Sequence, residues 1–309
     1  MKRCYHMFVA LTVALVVFGV ATNVVEAGVL HVPADFATIQ DAVDAAAPGD
    51  TIQVAPGVYE ENVLILKSDI RLHAPTGLAV LDGTDIGGFG FHVLGQLNDP
   101  VEDVAIQGFI VDAYERGIVL EHADFCEVKL NEVSNNRDRD PNDGLFNLAD
   151  GIVLIDAAFN DVRNNDVHDN GHNGIFLLGT MGNTIKGNDI FDNGLDTGTA
   201  VAGCGIQLSG AMPNVGNDIE VNDIRRAAWG ILLGPGGEGT DNFIARNKVH
   251  ENRRAGIAIR GAAHVDNVIQ QNNATGNGLL NLPPSFTFDL FEDGTINNTW
   301  KKNKGTSNF

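Results

Sequence analysis

Histidine, arginine and carboxylate side chains recur at one phase of a repeated sequence pattern. Three and four residues after a recurring Asn the chain carries, in successive repeats, His168-Asp169, Phe191-Asp192, Arg225-Arg226 and His250-Glu251. If the repeats stack, these side chains lie along one outward corner. Arginine can neutralise a substrate carboxylate, and histidine or a carboxylate can take the proton which that carboxylate acidifies. Such residues suit a lyase or epimerase that acts on a uronate chain.

The candidate site residues divide into two groups. For proton transfer we expect His168, Asp169 and His250, and for substrate binding Arg225, Arg226, Asp192 and Arg253, with His172 near them. Binding without catalysis is an alternative role. A further alternative is no function, because the solvated corners of an acidic solenoid collect such residues by chance.

An Asp-rich loop at residues 137–150 is the longest departure from the repeat. Its residues Asp138, Asp140 and Asp143 are the candidate ligands for Ca²⁺, although the loop lacks the complete twelve-residue calcium motif. We expect no obligatory cofactor. Copper binding is not favoured, because it needs groups of Met, Cys or His, and Met181 and Met212 are isolated.

Two repeated phases predict the elements that carry these residues. The first is Asn-polar-Val/Ile, at Asn131, Asn165, Asn188, Asn222 and Asn247, with weaker copies at Asn272 and Asn303. The second is Gly-apolar-x-apolar, beginning at Gly117, Gly151, Gly174, Gly205, Gly230 and Gly256. Alternation with period two over three to five residues indicates short strands, and a fixed repeat stacks them in parallel. The sequence therefore predicts an all-β fold, a single-stranded right-handed parallel β-helix of roughly ten coils.

Further columns follow from the same phases. Five residues after the repeat Asn lie Asn136, Asn170, Asn193, Asn252 and Asn277, with Ala227 as the exception. We interpret them as a ladder of hydrogen-bonded amides, since Asn also tolerates the left-handed backbone of a tight corner. The outward position of the Gly-apolar-x-apolar strand is mostly aliphatic: Val119, Val153, Phe176, Gln207, Leu232 and Ala258. We expect the protein's own loops to cover this column.

Both ends of the solenoid need closing, because an open coil exposes strand edges and core. Ile39, Ala42, Val43 and Ala46 predict one apolar face of a short helix that plugs the first coil. The aromatic residues Phe286, Phe288, Phe291 and Trp300 predict a cap over the last coil. We place one β-helix domain at residues 28–309, with an N-terminal cap at 28–50 and a closing coil and cap at 280–309.

The N-terminal residues predict export. Lys2 and Arg3 precede an apolar run and then Val25-Glu26-Ala27, which is typical of a signal peptide spanning residues 1–27 and cleaved near Ala27. We therefore expect a secreted or periplasmic protein. The apolar run is too short for a comfortable membrane span, so no membrane anchor is expected.

The net charge bears on binding partners, and the positions of the cysteines bear on disulfide formation. The net charge of −20, from 20 Lys and Arg against 40 Asp and Glu, disfavours nucleic acid as a partner. Cys126 and Cys204 lie at different phases of the repeat, so two separate buried thiols are expected, with a disulfide as the alternative. We expect a monomer.

The chain resembles the pectin-lyase-like right-handed parallel β-helix superfamily. The likeness lies in Thr38-Ile39-Gln40-Asp41-Ala42-Val43, then Pro48-Gly49-Asp50-Thr51-Ile52, then Pro56-Gly57-Val58-Tyr59-Glu60-Glu61. The later repeats are similar to those of polysaccharide lyases, mannuronan epimerases and NosD-like periplasmic proteins. This resemblance implies the β-helix fold for nearly the whole chain after the predicted signal peptide.

The active-site motifs of those families do not transfer intact. Asp140-Pro141-Asn142 keeps the first two residues of the epimerase Asp-Pro-His motif and lacks its His. Gly171-His172-Asn173 partly matches the Gly-His-Gly of polygalacturonases without their paired carboxylates. The leading hypothesis is an exported β-helix that recognises a polysaccharide and cleaves or epimerises it. The alternatives are a non-catalytic structural or adhesion solenoid at the cell surface and a NosD-like periplasmic accessory protein.

Overall fold

Short strands stack from coil to coil into three long parallel sheets in the computed structural model. The structure describes residues 27–139, 149–194, 203–210, 212–234, 237–261, 263–279, 288–293 and 297–308. Each coil contributes one strand to each sheet in turn, so neighbours within a sheet are a full coil apart in sequence. The predicted right-handed parallel β-helix is confirmed.

The first two sheets form two faces of the solenoid. The first sheet has 11 described strands, in stacking order β1 Val29–Val32, β2 Thr51–Val54, β5 Arg71–His73, β9 Ala105–Gln107, β13 Glu127–Lys129, β16 Asp161–Arg163, β19 Thr184–Lys186, β23 Asp218–Glu220, β27 Phe243–Ala245, β31 Val268–Gln270 and β34 Thr299–Lys301. The second sheet has nine: β3 Gly57–Tyr59, β6 Ala79–Asp82, β10 Phe109–Asp112, β14 Glu132–Ser134, β17 Asp166–His168, β20 Asp189–Phe191, β24 Asp223–Arg225, β28 Lys248–His250 and β32 Asn273–Thr275.

The third sheet and two minor sheets complete each coil. The third sheet also has nine described strands: β4 Val63–Ile65, β7 Phe89–Leu94, β11 Arg116–Glu121, β15 Ile152–Ile155, β18 Ile175–Leu178, β21 Cys204–Leu208, β25 Trp229–Leu233, β29 Ile257–Arg260 and β33 Leu290–Asp293. The minor sheets pair β8 Val101–Glu102 with β12 Ala123–Asp124, and β22 Asn214–Val215 and β30 His264–Val265 with β26 Gly239–Thr240 between them.

Alternation along each strand fills the core. A second-sheet strand such as β17 turns its middle residue, Val167, inward, whereas a third-sheet strand such as β18 turns in Ile175 and Leu177. Both inward residues of β18 are fully buried. The predicted register of the Gly-apolar-x-apolar phase is therefore confirmed.

Three asparagine ladders run along the three corners, although the sequence pattern predicted only two. The third contains Asn160, Asn183, Asn217, Asn242, Asn267 and Asn298. In each ladder a side-chain amide donates to the side-chain oxygen of the next coil and to a backbone carbonyl of the preceding one, as Asn188 does with Asn222 and Val162. Buried amides are thus satisfied without water.

One detail of the corner prediction is wrong. The ladder asparagines do not take the left-handed conformation themselves. The residue before nearly every one does, for example Asn164 before Asn165 with φ 53° and Asp169 before Asn170 with φ 54°. The preceding residue turns the chain, which points the amide inward along the ladder.

The N-terminal cap is a helix that packs on the first coil. Helix α1, Ile39–Ala45, buries Ile39, Ala42 and Val43 as predicted. Thr38 accepts the N–H of Asp41, and the Glu61 carboxylate accepts the free N–H groups of Ile39 and Gln40 (both 2.9 Å). A carboxylate at a helix N-terminus is favourable because unpaired N–H groups point toward it.

The C-terminal aromatic residues divide between two roles. Trp300 pairs with Ile269 and packs against the core of the last coil, as a cap should. Phe291 instead lies opposite Ala258 on the outward face of the third sheet, where it packs with Trp229 and Phe288. The prediction that Phe288 and Phe291 cap the coil end is therefore wrong, because strand alternation turns Leu290 inward and Phe291 outward. Phe286 lies outside the described residues.

Most of the outward column of the third sheet is buried, whereas Phe176 and Gln207 are partly exposed, and its covering by the protein's own loops stays a prediction. Val119, Val153, Leu232 and Ala258 are buried within the single chain.

Cys126 and Cys204 are both buried free thiols, so the expectation of separate thiols is confirmed. Among the described residues no helix is long and apolar enough to cross a membrane.

Candidate functional site

The predicted row of site residues forms on the outward face of the second sheet. His168 pairs with Phe191, Phe191 with Arg225, and Arg225 with His250 in consecutive strands. We call these four residues the second-sheet row. The stacking expected from the repeat offsets is therefore observed, with Asp169, Asp192 and Arg226 at the next position of the same coils.

Planar side chains stack along this row. The rings of His168 and Phe191 lie 4.7 Å apart and within 6° of parallel. The Arg225 guanidinium carbon lies 4.5 Å from the centroid of the same phenyl ring. Contacts between neighbouring coils therefore occupy much of the phenyl surface, and the row contributes to coil-to-coil packing.

Carboxylates of neighbouring coils neutralise the cations of the row. Arg225 forms a bidentate ion pair with Asp189. Arg226 forms one with Asp192, in which Nε lies 2.8 Å from Oδ1 and Nη2 lies 2.6 Å from Oδ2. The hydrogen bonds that Arg226 donates to the Asp192 carboxylate raise the pKa of Arg226 above its ordinary value. Both arginines that were expected to hold a substrate carboxylate already hold a carboxylate of the protein.

The two histidines of the row are also paired. His168 Nδ1 lies 2.8 Å from Asp169 Oδ2, and His250 Nε2 lies 3.0 Å from Asp223 Oδ1. Partial burial would raise the pKa of Asp223, but hydrogen bonds from Lys248 and His250 hold it below its ordinary value. The row can make polar contacts to a ligand, and its charges are largely balanced internally.

A second group of polar residues lies where the second sheet turns into the third. His172 follows β17, and its ring nitrogen Nδ1 lies 2.9 Å from Oδ1 of Asp150. The Asp150 side chain is only 3% exposed, and it also accepts the backbone N–H of Asn173 at 2.9 Å. The carboxylate therefore fixes the orientation of the imidazole from inside the protein.

The other ring nitrogen of His172 is unusual. Nε2 is buried and has no hydrogen-bond partner among the described residues. The side-chain amide of Asn173 and the Asp150 carboxylate both lie 2.9 Å from Nδ1; the carboxylate favours a proton on Nδ1, and this tautomer leaves a lone pair on Nε2. A buried polar atom without a partner destabilises the fold by about 1–3 kcal/mol, and in native proteins such an atom often marks a functional position.

Arginines reach this group from other coils. Arg253 extends back over two coils and donates from Nη2 to the carbonyl of Gly194 (3.1 Å), which stacks on the coil of His172. Arg137 donates to the carbonyls of Asn136 and Asp169, beside His172. Of the predicted substrate-binding residues, the structure therefore brings Arg253 to this corner.

Arg116 completes the group on the third sheet. The backbone N–H of the following residue, Gly117, donates to the carbonyl of Asp150, so Arg116 and Asp150 are neighbours in one outward column. The Nε atoms of Arg116 and Arg253 are buried and lack a hydrogen-bond partner within the part of the chain that the structure describes. We call Arg116, Arg137, Asp150, His172 and Arg253 the corner cluster.

Sequence reasoning did not identify Arg116 or Asp150 as site residues. Both stand immediately before the glycine of the Gly-apolar-x-apolar phase, where later repeats have Cys204, Trp229 and Ala255. A charged residue at an otherwise buried position was the available signal. The candidate residues were chosen by their offsets from the repeat asparagines, and those offsets do not reach this position.

Only one of the three predicted calcium ligands lies in the described part of the chain. Asp138 is described, whereas Asp140 and Asp143 lie outside the described residues. Within the described parts of the chain, no cluster of three or more His, Cys, Asp or Glu side chains could hold a metal ion.

Comparison with known proteins gives one family and several distant likenesses. The family model described as "Right handed beta helix region" matches residues 110–304. An alginate lyase from Paenibacillus sp. is 16% identical with a TM-score of 0.53, covering 91% of this chain and 99% of that one. The A-module of a mannuronan C-5 epimerase from Azotobacter vinelandii is 13% identical with a TM-score of 0.54, covering 86% and 88%. At these identities the likeness shows the fold alone.

One curated relative is closer in sequence but matches a smaller part. It is a cell surface glycoprotein from Methanothermus fervidus, 28% identical over 135 residues, or 43% of this chain. The match spans 21% of that relative's length.

Proposed function

The chain belongs to the right-handed β-helix family, and from that premise we propose that it binds an anionic polysaccharide at the corner cluster and takes a proton from a uronate unit through His172. The observation that carries this proposal is the His172 ring. Its Nδ1 is held by the buried Asp150, and its Nε2 lacks a partner among the described residues. A histidine oriented by a carboxylate at one nitrogen is a general base at the other.

The chemistry follows from the acidity of the proton at C5. When arginine neutralises the uronate carboxylate, the negative charge that develops on removal of the C5 proton is stabilised. Nε2 of His172 takes that proton, and because this atom is buried in the structure, the corner must open for the sugar to reach it. In elimination, the C5 electron pair forms a C4–C5 double bond, the C4–O bond breaks, and the leaving oxygen takes a proton from water. In epimerisation a water molecule on the opposite face gives a proton back to C5.

The arginines support an anionic substrate. In a chain with a net charge of −20, Arg116, Arg137 and Arg253 form a local group of cations around one histidine. Unlike Arg225 and Arg226, neither Arg116 nor Arg253 pairs with a carboxylate of the described residues. Two structural neighbours are named as an alginate lyase and a mannuronan C-5 epimerase, which is consistent with this substrate class.

The residues predicted from the sequence have a binding role in this proposal. We propose that the second-sheet row, which joins the corner cluster through Asp169 and His172, extends the binding surface to neighbouring sugar units. His168, Asp169 and His250 stay predictions for proton transfer, and their internal ion pairs favour His172 over them.

A second candidate function is a structural protein at the cell surface. The relative named as a cell surface glycoprotein favours it, and so does the internal pairing of the second-sheet row. Both candidates place the protein outside the cytoplasm. The proposed signal peptide at residues 1–27, with a secreted or periplasmic location, fits either candidate.

An assay of uronate polymers tests the first function. Alginate, pectate and glycosaminoglycan would be incubated with the protein, with and without Ca²⁺, while the ultraviolet absorbance of unsaturated products and binding to each polymer are followed. We expect binding to at least one polymer, and His172→Gln should lower turnover by about 10²–10⁴-fold.

The matched control is His168→Gln, which alters another histidine that pairs with an aspartate at a similar distance. It should lower turnover far less than His172→Gln does, because the proposal gives the proton transfer to His172 and only a binding contact to His168. If His168→Gln abolishes turnover and His172→Gln does not, the second-sheet row is the catalytic site. Absence of both binding and turnover across the panel would leave the structural role.

A further inference from the structure

A pair of exposed phenylalanines lies on a different corner of the β-helix, where the third sheet turns toward the first. The residue two positions before each of the seven first-sheet strands from β9 to β31 has a positive φ, and in five of these coils it precedes an asparagine of the third ladder. In coil order these residues are Asp103, Phe125, Phe159, Gly182, Gly216, Asp241 and Asp266. Asp and Gly are expected there, because they adopt the left-handed conformation at little cost. The two phenylalanines are the exceptions.

Packing in the core does not explain these aromatic residues. Phe125 is 52% exposed and Phe159 is 49% exposed, so each leaves about half of a large apolar side chain in water. Their backbones have φ 56° and 57°, a conformation that is unfavourable for a bulky residue. Their exposure and unfavourable backbone conformation together indicate a role other than stabilising the core.

The two rings form one surface. They lie 5.3 Å apart and within 13° of parallel, on consecutive coils. Other exposed apolar residues with positive φ, Leu130 and Val221, lie on a different corner and are separated along it by Asn164 and Gly187. The stacked pair is therefore distinct from a single apolar residue at a corner.

The surface two coils beyond Phe159 is open at Gly216. A Cβ at Gly182 would meet the ring of Phe159, and a Cβ at Gly216 would meet nothing within 4 Å. The exposed carboxylate of Asp241 follows on the next coil. The Phe159 ring therefore lies over Gly182, and the open surface begins at Gly216, one coil before the carboxylate of Asp241.

We propose that Phe125 and Phe159 bind a neutral sugar ring of a glycan chain. The weakly positive C–H groups on one face of a pyranose pack favourably against the negative face of an aromatic ring. Carboxylates accept hydrogen bonds from sugar hydroxyls. The Asp124 carboxylate lies beside the phenylalanine pair, because its Oδ1 accepts the N–H of Ala158, the residue before Phe159 (2.8 Å). The same carboxylates repel a uronate, so the ligand is neutral.

This surface is separate from the corner cluster. The corner cluster lies between the second and third sheets, and the phenylalanine pair lies between the third and first. It is an anchoring site for a second kind of glycan. It does not depend on the proposed proton-transfer role of His172.

The test replaces both phenylalanines with asparagine. Asn adopts positive φ more readily than Phe, so the Phe125→Asn, Phe159→Asn double variant should unfold at the same temperature as the wild type or higher. Leu130→Asn is the matched control, because it removes an exposed apolar residue at φ 56° from another corner. Binding would be measured by affinity electrophoresis in gels that contain soluble xylan, mannan, β-glucan or, for comparison, alginate.

We expect retardation by at least one neutral polymer, weakened at least about tenfold in the double variant and unchanged in Leu130→Asn. Three results would each overturn the proposal. The first is no retardation by any neutral polymer, and the second is equal retardation of the double variant. The third is a fall in the unfolding temperature of the double variant well beyond that of Leu130→Asn, which would make the rings a packing feature. None of these results bears on the uronate assay of His172→Gln.

Discussion

Side chains on the outward face of the second sheet stand one coil apart, so a cation meets the carboxylate of a neighbouring coil directly. The sequence predicted that His168, Arg225 and His250 share this face, because equal offsets in a repeat stack. It did not predict that Arg225 would pair with Asp189, since pairing depends on how far a side chain reaches across coils. Similar reach brings Arg253 to Gly194, two coils away.

The pH dependence of stability should reveal the carboxylate of Asp166. Partial burial, with Asp189 and Glu132 on adjacent strands, raises its pKa above the ordinary value. A raised native pKa means that stability falls as pH rises from the ordinary carboxyl range, near 4, through the native value. Asp166→Asn should therefore raise the unfolding temperature at pH 7 and leave it unchanged at pH 3, as measured by thermal denaturation. A lower unfolding temperature at pH 7 would show that the ionised form is stabilising.

Inward and outward positions should respond very differently to substitution. Leu177 is fully buried in the core, so Leu177→Asp places an unpaired charge there and should destabilise the protein by more than about 4 kcal/mol. Asp189 points outward and pairs with Arg225, so Asp189→Leu should cost at most about 1 kcal/mol. Chemical denaturation would compare the two. Equal losses would contradict the register.

The sequence pattern predicted the strands but only two of the three asparagine ladders at the corners. The sequence revealed the ladders that contain Asn165 and Asn170 because a hydrophobic strand lies beside each. The third ladder stands five residues before the repeat Asn, as Asn160 does before Asn165 and Asn183 before Asn188. The strands that precede it in the minor sheets are only two residues long, too short to show apolar alternation.

The gap in the second ladder gives an element-scale prediction. Ala227 is fully buried at a position where neighbouring coils have Asn193 and Asn252, and its backbone N–H donates to Asn252 Oδ1 at 3.0 Å. Ala227→Asn would offer a side-chain oxygen to the backbone N–H of Asn193, as Asn222 does for Asn188. We expect a gain of about 1 kcal/mol in unfolding free energy.

Thermal and chemical denaturation would measure the effect of Ala227→Asn. Asn188→Ala is the opposite change, since it removes an amide that donates to Val162 and Asn222. It should cost about 2 kcal/mol or more. A destabilised Ala227→Asn would mean that this corner has no room for the amide.

For the molecule as a whole, the fold was predictable and the site was not. Periodicity specifies a solenoid because every coil repeats the same contacts, so the signal accumulates over the chain. The members of the corner cluster come from several coils and occur once each: Arg116, Arg137, Asp150, His172 and Arg253. A repeat pattern carries no information about such single residues. Likeness in fold adds none either, since one fold supports several activities.

The central claim is that His172 takes a proton from C5 of a uronate, and exchange with solvent tests it directly. A uronate polymer that the protein binds would be incubated in D₂O with the wild type, His172→Gln or His168→Gln, and the H5 signal followed by NMR. We predict that the wild type and His168→Gln remove the H5 signal, by exchange or by elimination, and that His172→Gln does not. An H5 signal that persists with the folded wild type, or disappears equally with His172→Gln, would contradict the claim.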